Sequence, residues 1–464
     1  MRRFLASIIV AALSLLALSF VGCSKPKSGD EQLDFRLCKG GESYYVAGAG
    51  KAAGSEIVIP AEYNGKPVVG VGGKSFKDNK NITAVAIPSS VEWVEIAAFK
   101  NCTALKRVEW NAVNARTSES EEEYQNRVFL GCENVEEFII GDGVESIPGG
   151  LFAYSGGSKI SEIALPESLK KVAASTFSSV NRIDIKVADL GKWLAIEKPV
   201  FGAPLASSYA LYFGDSEVES LDLGEASELA PYEFAGCVSI KSVALGSKIE
   251  KIARSAFSGC RSLSEITVGE DNPNYYLSSG VVYSRVDNIV TLVPPAMTGE
   301  AVIPDGVPSV PANVFSGTAI KKLIIPGTVR VVGGDSFSDC AELETVVIGD
   351  GTTEISDFAF GGCPSLKTVI VSKTVRRMGA ELFKDSTDVA VYYLGETCPT
   401  GEGWERLSPW IYSELAPSVS GSFWHWAEDG ETPVKWDVVS NDDRVNMPHP
   451  MPRRSQTLNA AVNS

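Results

Sequence analysis

Phenylalanine recurs along this chain at a nearly constant interval, and that rhythm restricts the fold more than any other feature. Phe76 and Phe99 are 23 residues apart, Phe129 and Phe152 are 23 apart, and Phe177 follows 25 later. Phe234 and Phe257 are again 23 apart, and Phe315, Phe337, Phe360 and Phe383 follow at 22, 23 and 23. The neighbours keep step. Cysteine stands three residues after phenylalanine at Cys102, Cys132, Cys237, Cys260, Cys340 and Cys363, and Leu or Ile follows at Leu105, Ile240, Leu263, Leu343 and Leu366. Next comes a short β-rich run with an apolar-x-apolar core, such as Val85/Ile87, Val243/Leu245 and Val346/Ile348, often closed by proline. A period of 20 to 30 residues marks a repeat architecture, in which each unit is a single coil of chain. One such coil cannot bury its own apolar side, so the coils must stack and share a core.

The reading that follows is a repeat solenoid, a leucine-rich-repeat-like stack of about a dozen ~23-residue coils. Each coil contributes one short strand to one parallel β-sheet with a ~4.8 Å rise per coil. Proline or glycine ends the strand, a second apolar pair such as Val329 and Val332 forms the next side, and a short 3₁₀ or helical turn at Phe-x-x-Cys returns the chain. The eleven phenylalanines named above are the expected core anchors. The six repeat cysteines take a packing position for a small side chain, and they are expected to be free thiols because stacked side chains run parallel.

At these residues the chain resembles the BspA-type leucine-rich repeat family, whose pattern is LxxVxIPxxVxxIGxxAFxxC. The stretch Leu343 to Cys363, LETVVIGDGTTEISDFAFGGC, lies close to it. Leu263 to Tyr283 resembles the family's Asn-Pro-x-Tyr insertion, read as a β-hairpin. Trp193 to Leu223 resembles an irregular segment between coils, and Val391 to Trp436, with Trp404, Trp424-His425 and Trp436, resembles the closing segment. The resemblance implies a surface-exposed or secreted protein that binds host or microbial surface ligands, and it implies no reaction.

The first residues stand apart from the repeats. Arg2 and Arg3 precede an uncharged apolar run from Leu5 to Val21, then Gly22-Cys23 and a polar stretch. That is the layout of a secretory signal, and the cysteine after Gly22 makes it resemble a lipoprotein signal with Cys23 as the lipid attachment site. Ser24 in the next place resembles signals that lead to the outer membrane. The expected organisation is therefore a lipoprotein signal peptide at 1–22, a linker at 23–39, and a solenoid at 40–390 with insertions near 111–127, 187–214 and 270–295. A closing segment at 391–436 and a disordered tail at 437–464 complete it. The expected location is the outer membrane or cell surface of a bacterium, held through the lipid anchor alone.

Charge and motifs exclude several functions. Formal net charge is −16, from 58 acidic and 42 basic residues, so a phosphate backbone is not an expected partner. His425 and His449 are the two histidines, neither within the repeats, so no Ser-His-Asp or Cys-His constellation can be built there. The cysteines lack a CxxC and lack histidine partners, which argues against zinc. Gly48-Ala49-Gly50-Lys51 is not a phosphate loop, because Tyr45 and Ala52 stand where a glycine and a Ser or Thr are needed. The acidic run Glu119 to Glu123 reads as a solvated loop. No catalysis, cofactor or metal is expected.

Recognition of a protein or glycan surface ligand, as in adhesion, is the leading function. The alternatives are an envelope scaffold without a specific ligand and an accessory for glycan capture. The middle residue of each apolar-x-apolar strand points away from the core. In the C-terminal block these residues are Val302, Ile324, Val347 and Ile370, an expected β-branched binding stripe, whereas Ala86 and Glu109 are the N-terminal equivalents. Their β propensity alone could also account for them.

Overall fold

The computed structural model describes residues 33–50, 54–117, 127–151, 159–173, 176, 182–198, 208–386, 389–393, 424–426 and 433–435. Cys23, Phe152, Phe177, the signal peptide, the acidic run at 119–123 and the tail at 437–464 lie outside them. The chain divides into two units, Met1–Asn181 and Arg182–Ser464, each a β-solenoid, with about 14 coils along the chain as a whole.

In the N-terminal unit, Glu56–Val58, Ala84–Ile87, Arg107–Trp110 and Glu137–Ile140 form a parallel ladder, each strand one coil on from the last. Alternation decides its faces. Val85, Ile87, Val108, Trp110, Phe138 and Ile140 are buried, and the residues between them face outward. A second ladder runs beside it. Tyr44–Gly48, Lys66–Val71, Trp93–Val94 and Arg116–Thr117 pair in parallel, and Asp34–Leu37 closes the edge antiparallel to Tyr44–Gly48. The sheet expected to be single is thus two. Its shorter strands hold two residues in most coils, too few for alternation to register as a pattern.

The C-terminal unit repeats the plan. Ser220–Leu223, Ser242–Leu245 and Glu265–Val268 form one parallel ladder. Thr298–Val302, Ala319–Ile325, Thr345–Ile348, Thr368–Val371 and Ala390–Tyr393 form another. A second, short-strand ladder again accompanies it, through Ser309–Val310, Val331–Val332, Glu354–Ile355 and Arg377–Met378. Between the two long ladders stands an antiparallel meander, Tyr275–Ser278, Val281–Ser284 and Val290–Leu292, where the sequence places a hairpin. The stretch near 187–214 holds more than an insertion. Its Tyr209–Phe213 is a ladder strand, paired in parallel with Ile183–Val187, and the helix Leu190–Ala195 connects the two. Asp189 caps that helix through a hydrogen bond from Lys192 N. Of the closing segment, Trp424–Trp426 and Pro433–Lys435 pair antiparallel.

The phenylalanines stack into columns inside each unit. Ring centroids lie 4.9 Å apart for Phe76–Phe99 and 5.2 Å for Phe99–Phe129, all three rings nearly parallel. Phe234–Phe257 lie 5.2 Å apart, and Phe315, Phe337, Phe360 and Phe383 follow at 4.9, 5.7 and 6.1 Å. All nine of these rings are buried. Trp193, on the helix, stands at the head of the Phe234 column, 6.0 Å away.

Each column rests on a corner that the sequence reading passed over. The residue two places after the phenylalanine adopts positive φ at Asp78, Asn101, Gly131, Gly236, Gly259, Gly317, Asp339, Gly362 and Asp385. Asp, Asn and Gly are the residues that accept this conformation at lowest cost. The residue two places before it does the same at Lys74, Ala97, Tyr232, Asn313, Asp335, Phe358 and Glu381. Between these bends the chain hydrogen-bonds to the next coil. Phe337 N donates to Ala359 O at 2.9 Å and Asp339 N to Gly361 O at 2.8 Å, and the same pair of bonds recurs from coil to coil.

The cysteines do more than fill space. Cys102 Sγ donates to Phe76 O at 3.1 Å, and Cys132 to Phe99 O at 3.0 Å. Cys260 donates to Phe234 O at 3.1 Å and Cys363 to Phe337 O at 3.2 Å, so each of these four thiols satisfies the carbonyl of the preceding coil's phenylalanine. All six repeat cysteines are free and buried. Burial pushes the Cys237 and Cys260 thiols up, away from the reactive thiolate.

Candidate functional site

The four expected stripe residues fall into register. Val302 pairs with Ile324, Ile324 with Val347, and Val347 with Ile370, on the side opposite Ala301, Leu323, Val346 and Val369. The row continues one strand further to Tyr392. Val302, Ile324 and Val347 are half-buried, but Ile370 and Tyr392 are only 6% and 7% exposed. The accessible part of the row is therefore the first three residues. Ile370 does not belong to it, because it is covered. In the N-terminal unit the matching row is Val58, Ala86, Glu109 and Ile139, with Val58 exposed at 65%. Between them in sequence, Asp222, Ala244 and Thr267 form an exposed and mostly polar row.

A second site lies on the short-strand ladder of the N-terminal unit. Arg36, Tyr45, Gly70, Trp93 and Arg116 are aligned across five strands. Their neighbours Val46, Val71 and Val94 are buried, so this row faces outward. The Tyr45 and Trp93 rings lie 5.5 Å apart with planes tilted 48°. Gly70 lets the indole lie flat on the strand, since a Cβ there would overlap Trp93 Cε2 and Cζ2. The φ of Gly70 is not positive, so the glycine is needed for this close approach and not for its backbone. A cavity of about 590 Å³ opens over the two rings, with Arg36, Lys39, Gly72 and Glu95 on its walls. Glu95 accepts a 2.7 Å hydrogen bond from Gly73 N, which fixes the carboxylate on one side. The sequence reading missed this site. Its signal was present: Tyr45, Gly70 and Trp93 are separated by 25 and 23 residues, one coil each.

Elsewhere, Lys198 and Glu233 form a buried pair at 2.7 Å, with Lys198 also donating to Trp193 O and Ile196 O and lying over the Trp193 ring. Burial lowers the Lys198 ammonium and raises the Glu233 carboxyl, each partly countered by the other. The lysine's donors are all engaged inside the protein, so the pair pins the irregular segment and offers nothing to a ligand. Among the described residues, no group of His, Cys, Asp and Glu could hold a metal ion, and no helix is long and apolar enough to cross a membrane. His425 lies in the strand Trp424–Trp426.

Comparison with known proteins bears on the repeat. Among solved structures, the chain is similar to a leucine rich cell surface protein from Faecalibacterium prausnitzii, at 20% identity and a TM-score of 0.41, over 81% of this chain and 96% of that one. It is similar to a leucine-rich repeat protein from Bacteroides ovatus at 18% identity and a TM-score of 0.36, over 80% and 82%. It is also similar to the pneumococcal vaccine antigen PcpA at 16% identity and a TM-score of 0.38, over 78% and 86%. No curated protein matches it. The sequence profile of the BspA type leucine rich repeat region matches in 6 copies, over residues 69–201, 207–283 and 299–398. With more than half of its length matched, and the period carried by stacked Phe columns and corner bends, the chain belongs to the BspA-type leucine-rich repeat family.

Proposed function

We propose that this protein is an exported, lipid-anchored recognition protein that captures a protein or glycan surface ligand on its outward strand rows and performs no catalysis. The observation that carries the reading is the contrast between inner and outer positions of the ladders. Inner positions repeat in kind from coil to coil, while outer ones change character from block to block, as from Asp222-Ala244-Thr267 to Val302-Ile324-Val347. A scaffold needs only the inner pattern. Varied outer rows on a constant frame suit a surface selected for what it touches. Cys23 is the proposed lipid attachment site and the outer membrane or cell surface the proposed location.

Two experiments test this. A chain lacking residues 1–22 is screened against immobilised matrix proteins and glycans, alongside an Ile324→Thr/Val347→Thr variant, which keeps β propensity and removes apolar surface. Loss of capture or of self-association at unchanged thermal stability supports the row as a contact face, and retention of no ligand by the parent chain overturns the recognition reading. Metabolic labelling with a palmitate analogue tests the anchor, because a Cys23→Ala protein labelled as strongly as the parent would remove it.

A further inference from the structure

The geometry points to the Tyr45–Trp93 shelf as a binding site for an acidic glycan, with a pyranose ring stacked on the Trp93 indole, flanked by the tilted Tyr45 ring, and its carboxylate held by Arg36 and Lys39. This rests on the recognition reading above and assigns it a place and a ligand chemistry. Three observations carry it.

The first is that the repeat does not need these rings. At the same outward place on the short strands stand Ser146, Lys171, Glu228, Lys251, Ser309, Val331, Glu354 and Arg377, none of them aromatic. Tyr45 and Trp93 therefore do not serve the stack, and Gly70 between them is the residue that lets the indole lie flush with the strand.

The second is the shape. Both rings are partly exposed beneath an open cavity of about 590 Å³. A pyranose presents a patch of C–H groups on one face and hydroxyls around its edge. The face suits the negative π-cloud of an aromatic ring, and the edge needs polar groups around that ring. Arg36, Lys39 and Glu95 supply such groups. A protein hot spot is instead sealed by a surrounding rim that excludes water, and this rim is charged and open.

The third is the sign of the charge. The chain carries a net −16, yet the cavity walls hold Arg36 and Lys39 against Glu95, and Arg116 ends the same row. Neither Arg36 nor Lys39 has a carboxylate partner among the described residues, while Glu95 is already engaged by Gly73 N. A local excess of unpaired cations on an acidic protein selects an anion, and the planar Arg36 guanidinium matches a carboxylate in two-pronged fashion.

The test uses the chain from residue 23 onward. It is measured against immobilised tetragalacturonate, the neutral galactotetraose, and a panel of surface proteins. The parent chain is expected to retain the uronate in preference to the neutral sugar. Trp93→Ala should weaken that at least about tenfold, and Gly70→Ala, which keeps every contacting group but lifts the indole, should weaken it in the same direction. Arg36→Gln/Lys39→Gln should abolish the preference for the acid and its dependence on salt. Ile324→Thr/Val347→Thr should leave uronate binding unchanged. Far-UV circular dichroism and thermal unfolding check that each variant is folded. Undiminished uronate binding by folded Trp93→Ala and Gly70→Ala overturns the site, as does capture of proteins without any uronate binding, and in both cases the recognition reading stands. Equal retention of the neutral sugar, unaffected by the Arg36 and Lys39 changes, overturns the acidic ligand. Failure to retain any probe removes the site and the recognition reading together.

Discussion

In the N-terminal unit the outward row of the short-strand ladder runs Arg36, Tyr45, Gly70, Trp93, Arg116, and in the C-terminal unit the same row runs Ser309, Val331, Glu354, Arg377. One residue further along each strand the two units agree. Val46, Val71 and Val94 are buried in the first, and Val310, Val332, Ile355 and Met378 in the second. Neighbouring inner residues must fill the same space, so their chemistry is held narrow. The outer residues meet solvent, and there the second unit settles for an ordinary ion pair, Arg377 to Glu354 at 2.9 Å. A position that the stack leaves free, yet which carries two large aromatic rings and a glycine to seat one of them, is occupied for another reason.

The strongest way to break this comparison is to show that the inner frames differ. Phe99→Ala and Phe337→Ala remove equivalent rings from the two columns, and each should cost about 3–5 kcal/mol. Hydrogen exchange should show protection lost first in the coils on either side, because contacts in a stack are nearest-neighbour. A large difference between the two variants, or an even loss through the whole unit, would break the equivalence. Next in size is the thiol ladder. Cys363→Ala leaves the Phe337 carbonyl unpaired and should cost about 1–3 kcal/mol, with Cys363→Ser recovering part of it. Alkylation under denaturing, non-reducing conditions should find every repeat cysteine free, and a linked pair would contradict the parallel side chains.

The outward rows should respond more weakly. Trp93→Ser gives up the covered part of an indole, about 1–2 kcal/mol by area, and denaturant titration beside Phe99→Ala should rank it clearly below. If it unfolds the unit, the shelf is structural after all. Arg377→Gln should move stability by no more than about 1 kcal/mol, the range of an exposed pair. The smallest effect concerns pH. Hydrogen bonds from Lys170 and Asn114 hold the Glu145 carboxyl below its usual range. A depressed carboxyl stabilises the fold at pH above its unfolded value and loses that contribution as pH falls through the folded one. Thermal unfolding of Glu145→Gln and the parent should differ slightly near neutrality and converge in acid, and a gap that widens in acid would reverse the sign.

How much could be read beforehand follows from where the pattern is long and where it is short. The Phe columns and the long-strand ladder are legible, because a 23-residue beat and four-residue alternation repeat many times, whereas after Glu265–Val268 the sequence points to a hairpin and not to the third strand, Val290–Leu292. The second ladder is not legible, since its strands are mostly two residues and carry no alternation of their own. The positive-φ corner is marked in the sequence by Asp, Asn or Gly two places after nine of the eleven repeat phenylalanines, but Tyr154 and Ser179 interrupt the series and the cysteine at the third place is the more conspicuous signal. Alternation places Ile370 outward and the register agrees, yet alternation says which way a side chain points and not what lies over it. The aromatic shelf needed the period and the faces together, because its parts sit on three coils and only the register brings them into one row.

The paired bends on either side of Phe76, Phe99, Phe234, Phe315, Phe337, Phe360 and Phe383 decide how such a chain can change over generations. A residue gained or lost between them would turn one corner out of phase with the next and break the two hydrogen bonds that tie it to the following coil. Additions elsewhere cost little, because loop closure grows slowly with length. The irregular stretches obey this division. The helix Leu190–Ala195 and the meander from Tyr275 to Leu292 both lie outside the corners of the described coils. Length changes that leave the frame intact are of two kinds, a whole coil, or an excursion from the permissive side. Single-residue slippage is filtered out by the corner itself. A lineage built on this scaffold can therefore keep one frame while trading the surfaces it displays.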